Sequence, residues 1–459
     1  MSVKKAANPD EISFKQLTPP MIMESVLRVT VGVVNAAFLS NISRSAVSAV
    51  NVSTQYINMC QIIATAIATG TIVCLNQAVG MKNQKNINKY AAVAFFSNVV
   101  MGLFFGLLFF FFSRPMLSIM TFETEELRNM AVNYMRVVGT SMVFQAAQIV
   151  MSNINRSTGH TKAPLFTNLV INAVNIFGCY LVVNGHIFTS WHPMIGVAVS
   201  NVISQVFGLA VAAFILSRSY VQLSIKNIIP FPWKDFKLAL SIGIPAGMNN
   251  MAYSASQLVT TSIISQTSQL MFDAKNYISS VVGYVALVGM AFAQSATILI
   301  GYRIGAGDFD GAKALRKKVM RISAISNAFF SLILIFAYKP IFNALYGGSA
   351  GFEEILPIAG IIVIIDFVVE QGRGMNVVLG GALQATGDVT YQLIVNQASG
   401  WIIAVGGAYL FGVVLGFELY GIWFAFAIDE MTRALILVRR WNKGKWEAKA
   451  RLRTKTIAE

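Results

Sequence analysis

The chain has 459 residues, of which 55% are hydrophobic and only 12% charged, with a mean hydropathy of +0.62. Soluble domains carry about 25% charged residues, so this composition excludes an ordinary soluble enzyme and describes a polytopic membrane protein. The formal net charge of +15 is spread over alternating loops without aromatic interleaving, which speaks for membrane topology and against nucleic acid.

Residues 1–16 are polar, with no apolar core ahead of a small-residue cleavage site, so no removable signal peptide is expected. About twelve apolar spans of membrane length follow. The first six run Leu17–Ser40, Val47–Val79, Tyr90–Phe112, Met130–Ile154, Pro164–Val183 and Ile195–Leu216. The second six run Leu238–Ile264, Tyr277–Ile304, Ile322–Tyr338, Ile355–Gln384, Tyr391–Phe411 and Gly421–Val438. The expected organisation is an N-terminal tail at 1–16, an N-lobe at 17–216, a linker at 217–237, a C-lobe at 238–438 and a basic tail at 439–459.

Alternate connections are rich in Lys and Arg, among them Lys82, Lys85 and Lys89, then Lys226, Lys234 and Lys237, then Arg316, Lys317 and Lys318. By the positive-inside rule both termini are expected in the cytoplasm, with the basic tail able to lie on anionic lipid. Cys60, Cys74 and Cys179 sit in apolar runs and are expected to be buried, without disulfide or metal spacing. No helix presents a His/Glu metal pattern, and there is no phosphate-binding Gly-Lys-Ser/Thr loop, so neither a metal nor direct ATP drive is expected.

The chain repeats itself. Pro20 has a counterpart at Pro245, Gly80 at Gly305, Ser157–Thr158–Gly159 at Ala385–Thr386–Gly387, and Asn168 at Asn396, at a near-constant offset. Six spans per half is an even number, so the halves are parallel repeats, an arrangement that places a site between two bundles.

Several polar residues fall inside spans. Asp366, Glu370 and Arg373 share one helix face within the tenth span. A charge at mid-membrane costs at least about 2.5 kcal/mol, so it pairs or faces a cavity. Glycines 372, 374, 380 and 381 follow, where the backbone can bend or admit another helix. Glu24 with Arg28, and Asp429 and Glu430 with Arg433, are spaced to self-pair and are read as solvated or snorkelling charges near cytoplasmic ends. Asn35, Gln55, Asn58, Asn168, Asn172 and Asn175 make a polar N-lobe cluster, either interhelical glue or substrate contact.

Pro20 with Asn35, Ser45 to Val50, Gln77 to Gly80, Arg156–Ser157–Thr158–Gly159, Asn168 to Asn175, and Pro245–Ala246–Gly247 occur in an order that resembles the MATE (multidrug and toxic compound extrusion) transporters over nearly the whole chain. The resemblance implies an all-α membrane protein, with about twelve transmembrane helices in two parallel six-helix repeats forming a V. It implies a secondary antiporter, not an enzyme, that exports amphipathic organic or cationic compounds by alternating access on a proton or sodium gradient. No cofactor is implied beyond H+ or Na+, and the expected partners are a small organic substrate and membrane lipid, with the protein acting as a monomer. The sequence departs from the family at its usual carboxylates: Asn35 and Asn175 stand where Asp is common, Tyr253 where Glu is common, and Arg373 near a common Asp. Coupling is therefore expected at Glu370 and Asp366 beside Arg373, and the substrate cavity at Asn35, Gln55, Asn58, Asn168, Asn172, Asn175 and Tyr253. The alternatives are a lipid-linked glycan or phospholipid flippase, with central arginines on a phosphate, and a non-transporting membrane scaffold.

Overall fold

The computed structural model describes residues 13–40, 44–118, 124–185, 187, 192–348 and 351–458; the side chains of 28–37, 39–40, 44–49 and 51 are outside that description. Arg28 and Asn35 are among them, so the expectations placed on those two side chains lie outside the described residues. The described residues are all-α. The helices are α1 (Phe14–Ser40), α2 (Arg44–Gly80), α3 (Gln84–Leu117), α4 (Glu125–Thr140), α5 (Met142–Ser157), α6 (Ala163–Val183), α7 (Pro193–Ser217), α8 (Trp233–Ser265), α9 (Gln269–Gly305), α10 (Phe309–Tyr346), α11 (Phe352–Thr386), α12 (Val389–Ser399), α13 (Glu418–Asn442) and α14 (Lys445–Ala458). α12 continues in wide π-helical turns over Gly400–Val405 and Ala408–Val414.

Seven of these rods are long and apolar enough to cross a bilayer, and an eighth is the α4–α5 pair, bent by 41°. α1, α8, α11 and α13 have the length of a span as well, which brings the rods to twelve. α1, α11 and α13 hold the in-membrane residues Glu24, Asp366, Glu370, Asp429 and Glu430. The exposed apolar side chains, such as Leu258, Ile325, Phe336 and Ile402, suit a lipid-facing surface.

The chain forms two compact units, Met1–Gly247 and Met248–Glu459. The first has its core in Phe105, Phe109, Tyr134, Met135, Met142 and Met194. In lipid the burial of apolar side chains does not itself drive helix association, so close packing and small residues do. Gly70 and Gly247 let α2 and the start of α8 touch backbone to backbone: a Cβ at Gly247 would lie 2.6 Å from that of Ala66. Asp235, at that start, is held to α3 by Lys89 at 3.1 Å and by the Tyr90 hydroxyl, which donates at 2.5 Å.

The second unit is built around α11. Its glycines admit a different neighbour each and do not break the helix. A Cβ at Gly372 would meet Glu430 of α13 at 2.8 Å, and one at Gly381 would meet the Ala293 carbonyl of α9 at 2.5 Å; Gly374 faces Asn327 of α10 and Gly380 faces Gln392 of α12. Ile278, Phe342, Ile362, Val369 and Trp423 fill the space between these helices. The residues expected as a basic tail are helical. In α14 Trp446 is fully buried and stacks on Trp441 with ring centroids 4.3 Å apart. Arg440 and Lys449 close on the buried Asp388 at 2.8 and 2.6 Å.

The internal repeat reaches the turns. After α2 the chain turns through Lys82 at φ 55°, and after α9 through Gly307 at φ 76°. The next residue caps the following helix in both places: Asn83 accepts from the Asn86 amide, and Asp308 from the Gly311 amide. Lys82 adopts a left-handed conformation that costs an L-residue about 1–2 kcal/mol, where its counterpart is a glycine.

Candidate functional site

In the second unit α11 carries Asp366, Glu370, Arg373 and Asn376 on one face, toward α13. From α13 come Trp423, Asp429, Glu430 and Arg433. All but Arg373 are buried, and Glu370 is 0% exposed. Arg373 pairs with Glu370 through Nη1 and reaches Glu430 Oε1 at 3.7 Å. Arg433 pairs with Asp429 on its own helix and with Glu430 at 3.3 Å. The Asn376 amide donates to Glu430 Oε2 at 2.6 Å, and the Trp423 indole N–H donates to Asp366 Oδ1 at 3.0 Å. Ser399, where α12 passes into its π-helical turns, donates to Asp429 at 2.5 Å. α10 adds a polar stripe, Ser323, Asn327 and Ser331, from which the Asn327 amide donates to the Glu370 carbonyl at 3.0 Å.

Four carboxylates and two guanidinium groups leave two surplus negative charges when every acid is ionised. Charges taken out of water cost several kcal/mol each unless paired and hydrogen-bonded, so that surplus attracts a proton or a cation. Glu370 has an unsatisfied oxygen: Oε1 holds Arg373, while Oε2 is buried with no hydrogen-bond partner. The Ser323 and Ser331 hydroxyls and the Asn327 carbonyl oxygen are likewise buried without partners. A cavity of about 180 Å³ opens onto the same face, lined by Tyr253, Gln257, Lys275, Asp366, Arg373 and Trp423 among others.

In the first unit the polar residues gather at α1 and α6. Glu24 is buried and pairs with Arg156 of α5 at 2.6 Å. The Asn168 amide donates to Glu24 Oε1 at 3.3 Å, and that of Asn172 to the Leu27 carbonyl at 3.4 Å. Asn175 is buried with neither amide atom partnered.

The structure thus brings Asp366, Glu370 and Arg373 together and lines one cavity with two of them and Tyr253. It joins Asn168 and Asn172 to α1, buries Asn175 on the same helix, and leaves Gln55 and Asn58 exposed on α2. Two readings are corrected. Asp429, Glu430 and Arg433 are not solvated at a helix end: α13 runs Glu418–Asn442, which puts them near its middle, and α11 supplies their partners. Glu24 is not at a solvated end either; a buried Arg from a distant helix compensates it. Asn376, Ser399 and the α10 stripe were missed. The spacing of 323, 327 and 331, four and four inside an apolar run, was the available signal.

A model of the family described as MatE matches residues 20–181 and 245–410. A transporter of Bacillus subtilis (strain 168), YisQ, itself uncharacterized, is 31% identical over 97% of each chain. A probable multidrug resistance protein NorM of Thermotoga maritima is 24% identical over 97% of this chain and 95% of its own length. Among solved structures, a MATE crystal structure in the bent conformation is similar, with a TM-score of 0.86 at 15% identity over 99% of this chain and 98% of that one.

Proposed function

Because the chain belongs to the MatE family of transporters, we propose that it exports an organic solute by alternating access, coupled to an ion gradient at the acid network of α11 and α13. One observation carries this reading: Glu370 holds a buried carboxylate oxygen with no partner, in a cluster that has more acids than cations. A proton or Na+ bound there reduces the surplus charge. Release toward the other side of the membrane restores it, and the restored repulsion drives the return. Asp366 is the second acid, and Arg373, which bridges Glu370 and Glu430, reports the ionisation of one acid to the other. Lys275 and Tyr253 on the cavity wall tune the field that an entering ion or solute meets.

The substrates are amphipathic organic or cationic compounds. Tyr253, on the cavity wall of the second unit, is the proposed contact there; in the first unit, taken by itself, the proposed contacts are Asn35, Gln55, Asn58, Asn168, Asn172 and Asn175. The protein is an integral membrane protein; it works as a monomer in a bacterial inner membrane, with lobes at 17–216 and 238–438 and both termini in the cytoplasm. Support comes from the relatives named multidrug resistance proteins and from the alternation of basic loops.

Proteoliposomes loaded with a fluorescent organic cation test the reading, with proton and sodium gradients imposed separately. Dye movement driven by one of the two gradients is expected. No movement under either gradient, in either direction, would remove coupled export as the function.

A further inference from the structure

Beyond transport, the second unit holds a basic pocket far along α10 and α13 from the acid cluster. It has a volume of about 560 Å³ and lies between the first turns of α10 and the turn from α13 to α14. Lys313, Arg316, Lys317 and Lys443 line it, against the single acid Glu447, which is already paired with Lys313 at 2.8 Å. Arg316 is the unusual residue. It is 7% exposed, and among the described residues it has no carboxylate partner. One of its terminal nitrogens donates to the Asn442 side-chain oxygen at 3.0 Å, and its Nε has no acceptor. The Trp441 indole N–H, on the wall of the same pocket, is also buried without an acceptor.

A buried guanidinium without a counter-charge is costly, and Arg316 and Trp441, two residues that line this pocket, each hold a buried N–H without an acceptor. An anion with several acceptor oxygens would supply the counter-charge that Arg316 lacks. Arginine and lysine around one pocket match the charge and oxygen geometry of phosphate. We propose that this pocket binds a phosphate group and so ties α10 to the α13–α14 turn. The group comes either from an anionic lipid headgroup or from a soluble organophosphate; the pocket has room for more than the bare ion.

The full chain, purified in detergent and delipidated, separates the two sources. Phosphatidylglycerol against phosphatidylcholine retention, read by native mass spectrometry, probes the lipid. Glycerol 3-phosphate, read by thermal shift, probes the soluble source. Binding of either probe supports the proposal and names the source. Arg316→Met should weaken the bound probe by about tenfold or more, the scale of losing hydrogen bonds to a charged group, while leaving the probe-free melting temperature unchanged or higher. Lys317→Gln with Lys443→Gln, both exposed and so harmless to folding, should weaken it too. Failure of the wild-type chain to bind either probe, or binding that survives both sets of substitutions, would overturn it.

Discussion

Replacing Arg373 by Met asks whether the α11–α13 cluster behaves as buried charge. Arg373 joins Glu370 to Glu430. Met keeps part of the stem and removes the guanidinium, leaving Glu370, 0% exposed, without its cation. Removing one partner of a buried pair costs about 3–5 kcal/mol, whereas an exposed pair is worth about 0–1 kcal/mol. Because the Arg373 side chain is 24% exposed, the loss should fall at the lower end, about 3 kcal/mol. Glu370→Gln with Arg373→Met leaves no stranded charge at either position and should recover most of it, within the coupling of about 0.5–3 kcal/mol seen for groups in one network. Tryptophan fluorescence during unfolding in detergent follows the right region. Trp401, Trp423, Trp441 and Trp446 lie in the second unit, and Trp423 touches Asp366. Labelling of Cys60, Cys74 and Cys179, all buried in the first unit, should not change. A loss under about 1 kcal/mol, or no recovery in the double variant, would refute a buried charge network here.

Gly372→Ala should cost about 1–3 kcal/mol by overpacking, since its Cβ would lie 2.8 Å from that of Glu430, whereas Gly348→Ala, with open space around it, should be neutral in the same melts. Asn175→Leu should leave stability unchanged or raise it by about 1 kcal/mol, because it removes an unsatisfied buried amide, yet it should lower dye export in proteoliposomes; full export would make the position structural. Ser399→Ala should weaken the hold on Asp429 and cost about 1–2 kcal/mol by denaturant melts. Cysteines at Gly348 and Lys455 should react with an impermeant thiol reagent from opposite sides of the membrane, the native thiols being buried; reaction from one side would overturn the proposed topology.

Much of the fold was legible because it rests on local rules. Span length follows from bilayer thickness. Some repeat landmarks lie at helix ends and turns, such as Gly80 with Gly305 and Gly159 with Gly387, and the family match begins at Pro20 and again at Pro245, the first pair of landmarks. The tenth span stood out since charge inside an apolar run has few structural uses. What stayed hidden is pairing across the chain. Glu24 pairs with Arg156, 132 residues further along the chain. Glu430 looked self-sufficient beside Arg433, yet Arg373 and Asn376 also reach it. Spacing along one helix cannot reveal which other helix faces it. The terminal helix left a weaker trace: Trp446, Ala450 and Ile457, at helical intervals, are its buried stripe.

The most direct measurement is gradient-driven export by Glu370→Gln, Asp366→Asn and the pair of substitutions together, alongside equilibrium binding of the same dye to each purified variant. Coupling at the acid cluster predicts that Glu370→Gln binds dye like the wild type but no longer exports it against its gradient, with Asp366→Asn impaired as well. Normal export by both single variants and by the double variant, under every imposed gradient, would make the cluster a structural ion-pair network and place coupling elsewhere in the chain.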